Sequence, residues 1–271
     1  MSTPSQSASP ASSPTATLPQ IHHVYQLYRA LVATSPLRGD AGLGGKLLFA
    51  GGLHAYGRDL LYASNIAGAA SLAASADAEE QRSAIREGVV DFVVTSLAEA
   101  LRILKNEVRK AQAVSVGIAA DQRLIVKEML ERGVLPDLLP QRESKDDGLG
   151  SGDRQRFLDQ GALAIGEGVP EDGRFVSWTV NGQHARWLAR LDLCAQSVLP
   201  PEDVERHRWL RLAPRYLGRL AQKVRTASLT EEELARFRDR AAALVIEEGG
   251  KNMAADGAPL VVSIQPMKAS S

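Results

Sequence analysis

One cysteine in 271 residues, Cys194, excludes a disulfide within the chain and fits a reducing compartment. Net charge is lacking too. The 32 lysines and arginines balance 32 aspartates and glutamates, leaving no bulk field to draw in nucleic acid or an acidic substrate. No apolar run approaches the ~20 residues that a membrane-spanning helix needs. The opening "MSTPSQSASPASSPTATLPQ" has neither the apolar stretch of a secretory signal nor the arginines of a transit peptide. Its small and polar side chains bury little, so residues 1–20 read as a disordered tail. His184, His207 and Cys194 lack metal-ligand spacing, and no zinc is expected. Together these absences point to a cytoplasmic protein.

What is present is an alternation of strand and helix signals from residue 45 to about 140. "KLLFAG" (46–51), bounded by glycines, predicts a buried strand. Ala63, Ala67 and Ala70 then form a small-residue stripe that lets a helix lie close to a sheet. "SLAA" (71–74) predicts the second strand, and Asp77 with Glu80 a capping box for a helix ending near Gly88. "VVDFVVT" (89–95) carries the clearest strand signal. Ser96 and Glu99 repeat the capping box, with Leu97, Leu101, Leu104 and Val108 on one helical face. "VSVGIAA" (114–120), a helix capped by Asp121 and ending at Gly133, and "VLPDLL" (134–139) complete the series.

Such repetition predicts an α/β fold, a Rossmann-like parallel sheet with flanking helices and right-handed crossovers. Ligands in these folds sit beyond the carboxyl ends of the strands. That rule gathers Gly51 to Gly57, Thr95, Ser96, Ala120, Asp121 and the "PDLLPQ" turn around one crevice.

Three segments, "LGGKLLFAGGLHAYGRDLLYASNIAGAASL", "VVDFVVTSLAEALRILK" and "VSVGIAADQRLIVKEMLERGVLPDLL", together resemble the NAD-binding domain of urocanase (urocanate hydratase) over residues 43 to about 140. The shared order is a G-K strand, an AG-L glycine loop, an AGA-SL helix end, a T-x-L-x-x-A-L helix start and an RGV-PD turn. The resemblance implies a domain holding NAD as an electrophile, with Gly51, Gly52, Gly57, Arg58, Thr95, Ser96 and Asp121 as cofactor-binding candidates. The chain also departs from the family. Where the family's loop is nearly all glycine, this one carries Leu53, His54, Ala55 and Tyr56, whose side chains obstruct a pyrophosphate. Asp59 places a carboxylate where the helix dipole favours a phosphate, and Arg58 offsets it. Ser75 and Asp77 stand near the place of the acid that reads a ribose. In place of the family's T-D-Q-T-S-type loop stands "LPQRESKDDGLG", which retains Gln141, and the urocanate-holding flanks have no counterpart. No catalytic residue is assigned; His54, Tyr56 and Asp121 are the candidates for acid or base chemistry.

The sequence therefore divides into a tail (1–20), a urocanase-like Rossmann domain (21–140), a charged, glycine-rich linker (141–175) and a mostly helical region (176–271). In the last, "RFVSWTV" with Asn181-Gly182 predicts a strand and turn. Helices are expected over 183–198, 202–212 (stopped by Pro214), 215–226 and 231–247, the last capped by Thr230 and Glu233. "PLVVSIQP" (259–266) predicts a strand at a sheet edge. The run Arg206, Arg208, Arg211, Arg215, Arg219, Lys223 and Arg225 reads as a solvated face, Trp178, Trp187 and Trp209 as core, and His22-His23 carry no assigned role. The leading expectation is a urocanase-related protein whose crevice binds NAD or another nucleotide without full hydratase activity. Alternatives are a non-catalytic, homo-oligomeric scaffold and, more weakly, an active hydro-lyase.

Overall fold

Apolar residues at Ile21, Val24, Tyr25, Tyr28 and Leu31 recur at helical spacing and are buried, so the chain's first element is a helix, α1 (Pro14–Thr34). It begins inside the segment expected to be a tail. In this computed structural model the described residues are 14–140, 148–166, 173–181, 184–249 and 261–267.

After α1 the strand–helix alternation unfolds in order: β1 (Leu47–Gly51), α2 (Ala55–Ala67), β2 (Ala70–Ala74), α3 (Ala78–Arg86), β3 (Phe92–Val94), α4 (Leu97–Arg109), β4 (Val114–Ile118), α5 (Gln122–Glu131), β5 (Leu138–Pro140), α6 (Ser151–Asp159) and β6 (Leu163–Ile165). The six strands form one parallel sheet in the order β3-β4-β2-β1-β5-β6. This is the expected α/β, Rossmann-like architecture. Because β2 and β5 flank β1 on opposite sides, the chain reverses direction across the sheet at β1, where such folds open a crevice. One face packs under α1 and α2, with Leu60, Ile66 and Tyr25 in the core. The other packs under α4, α5 and α6, with Leu104, Val126 and Phe157.

Several boundaries differ from expectation. Ala70 belongs to β2 rather than to the small-residue stripe of α2. Within "VVDFVVT" only Phe92–Val94 pairs as strand. The amides of Val89 and Val90 instead bond to the carbonyl of Ala84 at 2.8 and 3.4 Å, closing the C-terminus of α3. The expected linker contains α6 and β6; a three-residue strand flanked by polar sequence carries almost no periodic signal. Gln141 lies outside the described residues, as does Gly182 of the expected turn.

The C-terminal region sets α7 (His184–Gln196), α8 (Val204–Tyr216) and α9 (Glu231–Gly249) on an antiparallel sheet, order β8-β7-β9. Its strands are β7 (Arg174–Val180), β8 (Val224–Leu229) and β9 (Val262–Pro266). Where a helix over 215–226 was expected, α8 instead continues through Pro214 and the chain turns at Gly218 (φ 52°) into β8. The alternating "VRTASL" pairs residue for residue with β7, and tertiary pairing overrides the basic stretch's helical look. Trp178, Trp187 and Trp209 are fully buried, as expected of core.

α1 is the seam between the two parts. Tyr25 meets Trp209 edge-on at 4.8 Å and Phe175 at 5.2 Å. On the same helix, Arg29 pairs with Glu205 at 3.0 Å and the Tyr28 hydroxyl donates to the Glu205 carbonyl at 2.9 Å. Among the described residues no helix is long and apolar enough to cross a membrane.

Candidate functional site

β1 ends at Gly51, whose φ of 80° is open to glycine and costly for other residues. The chain then passes Gly52, turns Leu53 inward to full burial, and enters α2 at its N-cap, His54. A Cβ on Gly57 would lie 2.0 Å from the Gly52 carbonyl oxygen. Glycine there lets the first turn of α2 sit directly on the loop backbone. Leu53 lies over β4, where a Cβ on Gly117 would approach its Cδ1 to 3.6 Å.

His54 makes no side-chain cap bond. Its carbonyl accepts the Arg58 amide at 2.9 Å, so the amides of Ala55, Tyr56 and Gly57 come before the first amide bonded within the helix. Ala55 is exposed, which opens this positive helix end to solvent. A phosphate is the ligand such a turn suits.

The charged neighbours do not face that opening. Asp59, expected to compete there with a phosphate, is buried against α1, because the tight α1–α2 packing turns that helix face inward. Its carboxylate accepts the Gln20 amide and binds His23 Nδ1, both at 2.8 Å. Arg58 reaches the other way, donating to Glu87 at 2.9 Å and to Ser83 at 3.0 Å.

The remaining candidates are helix caps. Ser96 Oγ accepts the Glu99 amide at 3.3 Å, and Thr95 donates to the Glu99 carboxylate through its amide at 2.9 Å and its hydroxyl at 3.0 Å. The Thr95 amide bond first, and then its hydroxyl, hold the Glu99 carboxyl below the usual range. Asp121 accepts the amides of Arg123 and Leu124. With strands spaced ~4.8 Å apart, Thr95 and Ser96, three strands from β1, stand roughly 14 Å from the glycine loop along the sheet. At the end of β2, buried Ser75 donates to Glu80 at 2.6 Å, and Asp77 caps α3. Two carboxylates thus stand at the ribose-reading place, Asp77 bonded to amides of its own helix and Glu80 to Ser75.

Sequence reasoning assigned no role to Gln20 or His23. The apolar period of α1 was the signal: once that helix is drawn, Gln20 and His23 stand three apart on the face beside Asp59. Among the described residues no group of three or more His, Cys, Asp or Glu side chains gathers to hold a metal.

Residues 25–150 match the family model of the urocanase Rossmann-like domain. That match runs from α1 through β5 and takes in the glycine loop, and the segment is urocanase-related.

Proposed function

We propose that this urocanase-related protein binds NAD or another nucleotide by its phosphate at the N-terminus of α2, and that it does so in the cytoplasm without turning over urocanate. The observation that carries this reading is the opening of α2. Its first amides follow a glycine turn, the His54 side chain does not cap them, and Arg58 and Asp59 are drawn off to α3 and α1. The phosphate portion of the cofactor fits: backbone amides of Ala55, Tyr56 and Gly57 would hold it over Gly51 and Gly52. The ribose portion would meet Ser75, Glu80 and Asp77. A bound nicotinamide would supply an electrophile, and the chain's own part is to bind and orient it.

Mass spectrometry of small molecules released from the denatured protein, with calorimetry against NAD, NADP, ATP and AMP, tests this directly. Binding with micromolar affinity is the expected result, and absence of heat with all four would end the nucleotide reading. Urocanate absorbance should not fall with enzyme concentration, because binding NAD alone does not orient a second substrate.

A second reading, a scaffold built of copies of this chain, is favoured by the edge of the sheet. Phe92 on β3 is 48% exposed and lines an open groove of about 770 Å³ with Ile103 and Val114. Arg102, Asp91 and Glu107 line it as well, a mixed charge set that a twofold-related copy can complement. Sedimentation of Phe92→Asp beside the parent decides it: a dimer converted to monomer supports this reading, and a monomeric parent removes it.

A further inference from the structure

Arg154, in the first turn of α6, is a buried cation that no carboxylate balances among the described residues. The residue is only 9% exposed, and its Nη1 donates to the carbonyl of Pro140, the last residue of β5. A guanidinium carries five N–H donors, so one carbonyl leaves most of them unused. Burying a charge is costly unless an opposite charge meets it. The unused donors are not sealed in. Among the described residues, the fully enclosed side-chain nitrogens and oxygens without a partner are Arg58 Nε and Ser228 Oγ. The unpaired nitrogens of Arg154 therefore keep a margin of accessible surface.

The place is the carboxyl edge of the sheet. Leu48 of β1 is level with Leu138 of β5, which sets Pro140 level with Ala50, one residue before the turn at Gly51. The guanidinium thus holds a carbonyl one strand spacing, ~4.8 Å, from the end of β1. The approach to α6 is fixed there too. Gly148 (φ 67°) passes so close to α5 that a Cβ on it would lie 2.4 Å from that of Gln122. Gly150, the N-cap, has no side chain to close the helix. The Arg154 amide bonds to the Gly150 carbonyl at 2.9 Å, so the amides of Ser151, Gly152 and Asp153 come before the first amide bonded within α6. A helical side chain leans back over the turn before its own Cα, which carries the guanidinium toward these amides. Asp153, the acid of that turn, reaches Arg156 at 3.9 Å.

We propose that Arg154 is the charged anchor of an oxyanion site at the carboxyl end of β5. Its ligand presents a phosphate or a carboxylate, two of whose oxygens meet the guanidinium fork. The leading amides of α6 complete the contact. Because α6 packs on the face of the sheet opposite α2, the site depends neither on the opening of α2 nor on the nucleotide reading above.

Titration calorimetry of the full chain against inorganic phosphate, AMP and succinate separates the sources of the anion. At least one of the three is expected to bind. Arg154→Gln keeps an N–H for the Pro140 carbonyl but removes the charge and the fork, so affinity for that anion should fall at least about tenfold. Without ligand, Arg154→Gln should melt no lower than the parent, because the unbalanced charge has gone. Saturating anion should raise the parent's melting temperature by several degrees and leave the variant's unmoved. A purely structural Arg154 would give the reverse, a variant that melts lower yet binds the anion as the parent does, and that result overturns the inference. Arg154→Lys, charged but without a fork, serves if Arg154→Gln does not fold: its binding should also weaken, and equal binding overturns the inference. AMP held equally by the parent and by folded Arg154→Gln overturns the inference and leaves the nucleotide reading standing. Phosphate or succinate held through Arg154, with no heat from NAD, NADP, ATP or AMP, supports the inference and ends the nucleotide reading. No heat with any of the three anions overturns the inference.

Discussion

Gly57 is where a single residue bears on both fold and site. Any side chain there meets the Gly52 carbonyl, so Gly57→Ala must push α2 off the loop or distort the turn. We expect a loss of about 1–3 kcal/mol in urea unfolding and, independently, weaker AMP binding in calorimetry, because the amides of Ala55, Tyr56 and Gly57 are displaced. Unchanged binding in a folded variant would show that the opening of α2 does not hold the phosphate. Residue identity also explains a limit on reading the loop from sequence. Asp59 and Arg58 looked like adversary and ally of a bound phosphate, yet each has a nearer partner on another helix. Which way a side chain leaves α2 depends on what packs beside it, and α1 was invisible while residues 1–20 read as tail.

At the scale of elements, the C-terminus of α2 depends on a residue 142 positions away. Arg208 of α8 is buried, and its guanidinium donates to the Ile66 carbonyl at 2.7 Å and to the Asp40 carbonyl at 2.7 Å. Burial pulls its pKa down. The cation still sits where the helix dipole and the unpaired carbonyls favour it. Arg208→Met keeps much of the volume but leaves those carbonyls without a donor. A cost of roughly 2–4 kcal/mol in denaturant unfolding is expected, against little change for Arg215→Ala or Arg219→Ala, both exposed. Equal effects from all three would contradict this. The basic run thus splits: Arg215, Arg219 and Lys223 are exposed, while Arg206 forks onto Glu233 at 2.6 and 2.9 Å and Arg208 locks α8 to α2. Alternation of charge and apolar residues in sequence could not separate Arg206 and Arg208 from Arg215, because all three lie on one helix and differ only in what faces them.

For the whole molecule, acid stability is the property to measure. Burial raises the Asp192 carboxyl from 3.8 to about 6, against the opposing pull of Arg225 and of the Trp178 indole, which donates to it at 3.1 Å. The native state therefore holds this proton to higher pH than the unfolded chain does. The stabilisation it contributes is complete below 3.8 and is lost as pH rises through about 6. Asp192→Asn cannot titrate. From pH 6 down to 4 the parent should gain stability relative to the variant, by about 2 kcal/mol. Glu233 acts in the opposite sense: burial raises its carboxyl, but bonds from Arg206 outweigh that and lower it. It is common to both proteins and cancels in the comparison. Chemical denaturation across that range gives the answer, and a gap that does not vary with pH would contradict it.

What the sequence by itself determined was local in origin. Capping pairs such as Ser96 with Glu99 and Thr230 with Glu233, the glycine turn at Gly51, and the central apolar strands β1, β2 and β4 all act within a few residues of one another. Their order was enough to specify the parallel α/β domain. Tertiary structure decided whatever depends on partners distant in the chain. It paired β6 with β5, drew β8 out of a helical-looking stretch by pairing it with β7, and laid α1 across α2 so that Gln20 and His23 could claim Asp59. Those contacts join residues tens of positions apart, and burial and hydrogen bonding between such segments form only when the chain has closed on itself.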